Sequence, residues 1–186
     1  MIYIFNQCIV NPMAAKIIKF LEEVGKLKIV PREGWKMKGI KDRESVAEHT
    51  FRVAVIAMLL SEMEKCSTQK VLKMSLLHDL PESQVGDLTR RSPNYGQKRE
   101  IEKKAMKAIL RTLPEKLKKE YIQLWEEYRK GRTPEAKLVK YADKLEMLLQ
   151  AKEYARKGYD TSDFWSEEYE FKGTALKIYN LLKPCR

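Results

Sequence analysis

The chain carries only two imidazoles, His49 and His78, and the second is followed at once by Asp79. A further acid, Asp143, stands inside an otherwise core-like run, Leu138-Val139-Lys140-Tyr141-Ala142-Asp143-Lys144-Leu145. A carboxylate buried without a partner is costly, so Asp143 is expected to face a cation or hydrogen-bond donors. Two imidazoles and two carboxylates make an N2O2 donor set, which suits an octahedral first-row divalent ion with positions left open. The expected cofactor is one Mn, Co, Ni or Fe ion, with Mg or Zn as alternatives. An open position lowers the pKa of a bound water and turns it into a hydrolytic nucleophile. More carboxylates follow in His78-Asp79-Leu80-Pro81-Glu82-Ser83-Gln84-Val85-Gly86-Asp87. Glu82 lies four residues after His78, one helical turn if the helix runs through Pro81, and could hold or deprotonate that water. The bland alternatives are a satisfied core histidine, and helix-end or turn chemistry for Glu82 and Asp87.

Composition removes several other chemistries. Cys8, Cys66 and Cys185 are far apart and form no CxxC or zinc-ribbon spacing. Neither a disulfide framework nor a closed cysteine-ligated zinc site is expected, and a reducing cytoplasm is the expected compartment. The longest apolar run, Val53 to Leu60, falls far short of the roughly 18–20 residues that span a bilayer. The apolar start Met1-Ile2-Tyr3-Ile4-Phe5 lacks the basic region and cleavage site of a signal peptide. With 37 Lys+Arg against 26 Asp+Glu the formal charge is +11, which admits an anionic partner such as nucleic acid. Lys and Glu are interleaved, however, as in Glu115-Lys116-Leu117-Lys118-Lys119-Glu120, and Asn and Gln are few. That pattern favours a solvated Lys/Glu surface over a dedicated basic stripe, so nucleic acid is not the expected partner.

The elements that must position these groups read as helices. Eight glycines and seven prolines in 186 residues leave few breaks, and no alternating strand pattern or internal repeat is present. The expected fold is all-α, one domain over 13–186, with residues 1–12 an extension of undecided role. Tyr3, Phe5 and Ile9 could dock on the body, or Met13 could be the true start. Asn11-Pro12 opens a helix whose stripe is Ile17, Ile18, Leu21 and Val24. Residues 26–43, with Pro31, Gly34 and Gly39, read as an irregular loop. Ser45-Val46-Ala47-Glu48 is a capping box. The helix it opens, to about Lys65, sets Val46, His49, Val53, Ala57 and Leu60 on one face. Thr68 caps the next helix, in which Val71, Ser75 and His78 share a face. Gly86 to Gly96 reads as a loop, and helices follow at about 97–112 and 114–130. Thr133-Pro134-Glu135 starts another that runs to about Arg156, with the stripe Leu138, Ala142, Leu145 and Leu149 and with Asp143 on its flank. An aromatic segment (Phe164, Trp165, Tyr169, Phe171) and a last helix near 174–182 complete the chain. Met58, Met63, Met74, Met106 and Met147 read as core filler.

Four blocks in order carry a resemblance: Val30-Pro31-Arg32-Glu33-Gly34-Trp35, Glu44-Ser45-Val46-Ala47-Glu48-His49, His78-Asp79-Leu80-Pro81-Glu82 with Gly86-Asp87, and Lys140-Tyr141-Ala142-Asp143-Lys144-Leu145-Glu146. Together, over about residues 13–180, they resemble the HD-domain metal-dependent phosphohydrolases, and within them the 5′-deoxynucleotidase branch. The resemblance implies an HD-domain helical bundle that hydrolyses deoxyribonucleoside 5′-monophosphates. It implies His49, His78, Asp79 and Asp143 as metal ligands, Glu82 as the acid at the metal-bound water, and Asp87 as a second catalytic acid near the leaving group. Arg32 and Trp35 match the pair that touches phosphate and sugar or base. In this chain Glu33-Gly34 separates them, whereas the bacterial enzymes have them adjacent. Two-metal phosphodiesterases of the superfamily use extra histidines, and this chain has none to spare. Lys140 and Lys144, beside Asp143, are further candidates to reach phosphate. The family is commonly dimeric, and the aromatic residues of 121–128 and 164–171 could supply the contact. Two alternatives stand beside this reading: an HD-fold phosphohydrolase acting on another nucleotide or phosphorylated metabolite, and a basic helical nucleic-acid-binding protein with a structural metal.

Overall fold

The computed structural model describes residues 11–184. The expectations for Tyr3, Phe5 and Ile9, and for Cys8 and Cys185, lie outside the described residues. Helices α1 (Pro12–Lys26), α2 (Glu33–Lys36), α3 (Val46–Met63), α4 (Thr68–Leu77), α5 (Glu82–Val85), α6 (Lys98–Leu110), α7 (Glu115–Lys130), α8 (Pro134–Arg156) and α9 (Gly173–Leu182) follow one another, with short 3-10 turns at Tyr95–Gln97 and Ser162–Trp165. Among the described residues the only β pairing is an isolated bridge between Pro31 and Ser45. None of the described helices is long and apolar enough to cross a membrane.

The centre of the bundle is α3, packed between α4 and α8. Its capping box forms as the sequence requires: Ser45 Oγ accepts from the Glu48 amide, while Glu48 Oε2 accepts from the Ser45 amide at 2.7 Å. The stripe that follows, Val46, His49, Val53, Ala57 and Leu60, is wholly buried. Val46, Val53 and Leu60 each contribute about 1.5–3 kcal/mol by leaving water, so the helix has one strongly preferred rotation about its axis. His49 is held in that rotation with them. Val71 and Met74 from α4, Leu138, Ala142 and Leu145 from α8, and Ala175 and Tyr179 from α9 complete this main core. A second core joins Leu77 and Leu80 to Met106, Ile109 and Leu110 of α6 and Trp125 of α7.

Several local expectations are corrected. The 26–43 segment contains α2, a single turn that local propensity does not announce. Ser67, one residue before Thr68, caps α4. Both residues carry the hydroxyl that the cap needs, and the sequence alone does not rank them. That helix ends at Leu77, one of the two ends expected for it (Leu77 or Leu80, before Pro81), and residues 78–81 form a turn before α5. Met63 points to solvent, while Met74 and Met106 are core. The α1 stripe is the largest departure: Ile17, Ile18, Leu21 and Val24 are all exposed, so their helical spacing describes a face that no described residue covers.

Candidate active site

The two histidines meet. Their ring centroids lie 5.6 Å apart, His49 from the second turn of α3 and His78 from the turn that ends α4. The His78 ring nitrogen Nδ1 sits 2.6 Å from the Ser75 carbonyl, which can only accept, so Nδ1 carries the proton. Trp125 Nε1–H donates to the His78 carbonyl and fixes that backbone from the other side. His49 Nδ1 donates to Glu146 Oε2 at 2.5 Å. Both Nδ1 atoms being committed, both Nε2 atoms present lone pairs inward, and neither has a hydrogen-bond partner although both are buried. They converge on one oxygen, Asp79 Oδ2, at 3.6 Å from His49 and 3.1 Å from His78. Asp143 Oδ1 is 3.3 Å from His49 Nε2.

Orphaned imidazole lone pairs around carboxylate oxygens fit a divalent ion better than they fit one another. His49, His78 and Asp79 have ligand atoms close enough to share one ion, with Asp143 beside them. The electrostatics agree. Burial alone would pull His49 down, yet Asp143 and Glu146 push its imidazole up to about 9, so without an ion a proton takes the Nε2 lone pair that an ion would otherwise use. Against burial, His78 and Arg32 hold the Asp79 carboxyl well below the usual range. The cage favours positive charge at its centre.

The remaining expected residues surround it. Glu82 is almost fully buried at the start of α5, and its Oε2 has no partner. Burial, Asp79 and Asp87 push its carboxyl well above the usual range. Although no helix runs through Pro81, His78 and Pro81 both keep right-handed helical backbone angles, so the turn still brings Glu82 back toward Asp79, whose carbonyl accepts from the Glu82 amide at 3.0 Å. Arg32 Nη1 reaches Asp79 Oδ2 at 3.5 Å and Asp87 Oδ2 at 3.9 Å. Asp87 Oδ2 also accepts the Glu33 amide at 2.9 Å, capping the one-turn helix α2. Trp35 is buried against Tyr154 and Phe164, and its Nε1–H donates to Glu44 Oε1 at 2.8 Å. Only part of the indole meets the neighbouring cavity of about 580 Å³, whose walls include Arg32, Trp35, Lys98, Lys144, Met147 and Tyr169. Lys140 turns elsewhere, onto the Arg129 carbonyl.

Three residues were not foreseen. Glu146, wholly buried, joins His49 to Arg52, whose Nη2 and Nε donate at 2.8 and 3.0 Å. Glu44 faces the same pair, and burial and Glu146 push its carboxyl up to about 7. Lys98 stands beside Glu82. Glu146 had a sequence signal: it lies three residues after Asp143, and so on a neighbouring helix position, within an apolar run.

The family described as HD domain matches residues 24–178. The 5′-deoxynucleotidase HDDC2 of Homo sapiens is 41% identical over 143 residues, covering 76% of this chain and 69% of that protein. The Dictyostelium discoideum protein of the same name is 36% identical over 173 residues, covering 89% and 91%. Among solved structures, the PH0347 protein from Pyrococcus horikoshii OT3 superposes with a TM-score of 0.74 at 33% identity, covering 89% of this chain and 95% of that one. A conserved hypothetical protein from Pyrococcus furiosus gives 0.71 at 42% identity, covering 80% and 85%.

Proposed function

The chain belongs to the HD-domain family, and from that premise we infer that it is a metal-dependent phosphohydrolase that cleaves deoxyribonucleoside 5′-monophosphates to deoxynucleoside and phosphate. The observation that carries this is the pair of unpartnered, buried Nε2 atoms converging on Asp79 beside a cavity walled by cations. We take residues 13–186 as one such domain. His49, His78, Asp79 and Asp143 would hold one divalent transition ion. When bound, that ion supplies a Lewis acid for the phosphoryl oxygens and an activated water.

The chain's own residues do the rest. Arg32, already turned toward Asp79 and Asp87, supplies charge for the non-bridging oxygens of the phosphate dianion, with Lys144 on the cavity wall as a second cation. Glu82 Oε2, free of protein partners, orients the attacking water and takes its proton. Asp87 assists the departing 5′-oxygen with Oδ1, since Oδ2 is committed to the Glu33 amide. Trp35 acts chiefly as a wall, its face being covered by neighbouring rings.

The test is phosphate release from the four deoxynucleoside and four ribonucleoside monophosphates. The protein is stripped of metal and re-supplied with Mn, Co, Ni, Mg or Zn. Release from the deoxynucleotides, with about one ion per chain by elemental analysis, is the expected result; no release with any ion overturns the proposal.

A second copy of the chain is the proposed cover for the open apolar face. Trp125, Tyr128, Phe164 and Trp165 pack within the molecule and leave little aromatic surface for the contact placed there from sequence. Exposed Leu21 and Val24 of α1, Phe51 of α3 and Leu76 of α4 instead border an apolar groove, and Ile18, Leu59 and Met63 are further exposed apolar residues of α1 and α3. An apolar groove bordered by exposed side chains of three helices is the kind of surface a second copy would cover. Light scattering is expected to give twice the chain mass, and Phe51→Glu to halve it. A wild-type monomer removes this proposal.

A further inference from the structure

We infer that Lys98 is a positioning residue for the hydrolytic step, holding both the Glu82 carboxylate and the loop that walls the cavity. The inference rests on the proposed role of Glu82. Lys98 is the first residue of α6, and its side chain runs inward. Nζ donates to the Leu88 carbonyl at 2.8 Å and lies 3.4 Å from Glu102 Oε1 and 3.9 Å from Glu82 Oε1. Among the described residues it is the one cation within 4 Å of Glu82.

The consequence is directional. Oε1 lies on the side of the ammonium at 3.9 Å, while Oε2 is buried and has no partner. An acid that must present one oxygen to a water needs its other oxygen fixed, because free rotation of the carboxylate would spread that oxygen over many positions. The bond to Leu88 does the same for the backbone. Leu88 follows Asp87 and precedes Thr89, Arg90 and Arg91, all of which line the cavity. A single ammonium therefore sets the water-handling acid and one wall of the substrate cavity relative to α6. Direct phosphate binding is the rival role. It is disfavoured because Nζ already donates to the Leu88 carbonyl and has two carboxylates within 4 Å to neutralise it.

Metal-loaded wild type, Lys98→Met, Lys98→Gln, Lys98→Arg and Glu82→Gln are compared on one deoxynucleoside monophosphate. Lys98→Met is expected to lower kcat by about 10- to 100-fold, the scale of a small misplacement of a catalytic group. Its KM, its inhibition constant for inorganic phosphate and its metal content should stay within about twofold of wild type. Lys98→Arg, which keeps the charge, recovers most of kcat. Should Lys98→Met fail to fold, Lys98→Gln is read in its place. Wild-type kcat in the neutral variant beside an inactive Glu82→Gln overturns the role of Lys98. A parallel rise in KM and in the phosphate constant also overturns it, making Lys98 a substrate ligand. Full activity of Glu82→Gln overturns the reading of Glu82 on which the inference stands.

Discussion

Asp79→Ala is expected to lose phosphate release by at least about 10³-fold, the scale of losing a Lewis acid and its charge stabilisation. Its metal content should fall from about one ion per chain to well below it. The reason is geometric. One oxygen, Asp79 Oδ2, is the meeting point of His49 Nε2, His78 Nε2 and Arg32 Nη1. Remove it and the two imidazoles lose the oxygen they share, His49 Nε2 keeping only Asp143 at 3.3 Å, while Arg32 keeps Asp87 at 3.9 Å. Asp79→Asn preserves shape and removes charge, and should lose nearly as much. A folding defect is not expected to account for the loss, since Asp79 contributes no apolar burial and raises the cost of charging Glu82. Circular dichroism and elemental analysis on the same samples separate the two causes. Full activity of Asp79→Ala would sink the metal-site reading outright.

Glu146→Gln carries the second large effect, and it acts at a distance from substrate. Glu146 fixes the His49 ring through Nδ1 and is itself fixed by Arg52. Carboxylates behind metal-binding histidines set ring orientation and basicity, and their loss costs about 10- to 100-fold in metal affinity or activity. A glutamine cannot accept from both His49 and Arg52 with one oxygen as the carboxylate does with two. The stability cost should be about 1–3 kcal/mol: the site is buried, but Arg52 is part-exposed and keeps Glu153 and Gln150. Metal titration and urea unfolding measure the two effects separately. Wild-type metal affinity in a destabilised Glu146→Gln would make the residue structural only. Arg52→Met, which leaves the Glu146–His49 bond in place, should weaken metal affinity less.

The ligand-type residues were legible because periodicity fixes rotation. His49 shares spacing with Val46, Val53, Ala57 and Leu60, and a face that must be buried carries its histidine inward with it. The same logic placed His78 with Val71 and Ser75. Local spacing gives Glu146 no role, because its partner His49 is 97 residues away. Helix α2 has no local signature for a related reason: the acceptor of its first amide is Asp87, 54 residues distant. Short elements held by remote side chains leave no local trace. The α1 stripe shows the converse limit: spacing establishes that a helix has an apolar side, and says nothing of what covers it.

The hydrogen bond from Glu33 to Asp87 has a thermodynamic consequence for the cavity mouth. Residues 32–38 and residues 87–91 border the same cavity. Were they independent flaps, each would have conformational freedom to surrender when substrate arrives. The Glu33 amide on Asp87, Arg32 between Asp79 and Asp87, and Lys98 on the Leu88 carbonyl brace them into a ring. The ordering entropy of that ring is spent at folding, before any ligand is met. A mouth braced in this way has less conformational freedom left to lose when a ligand enters.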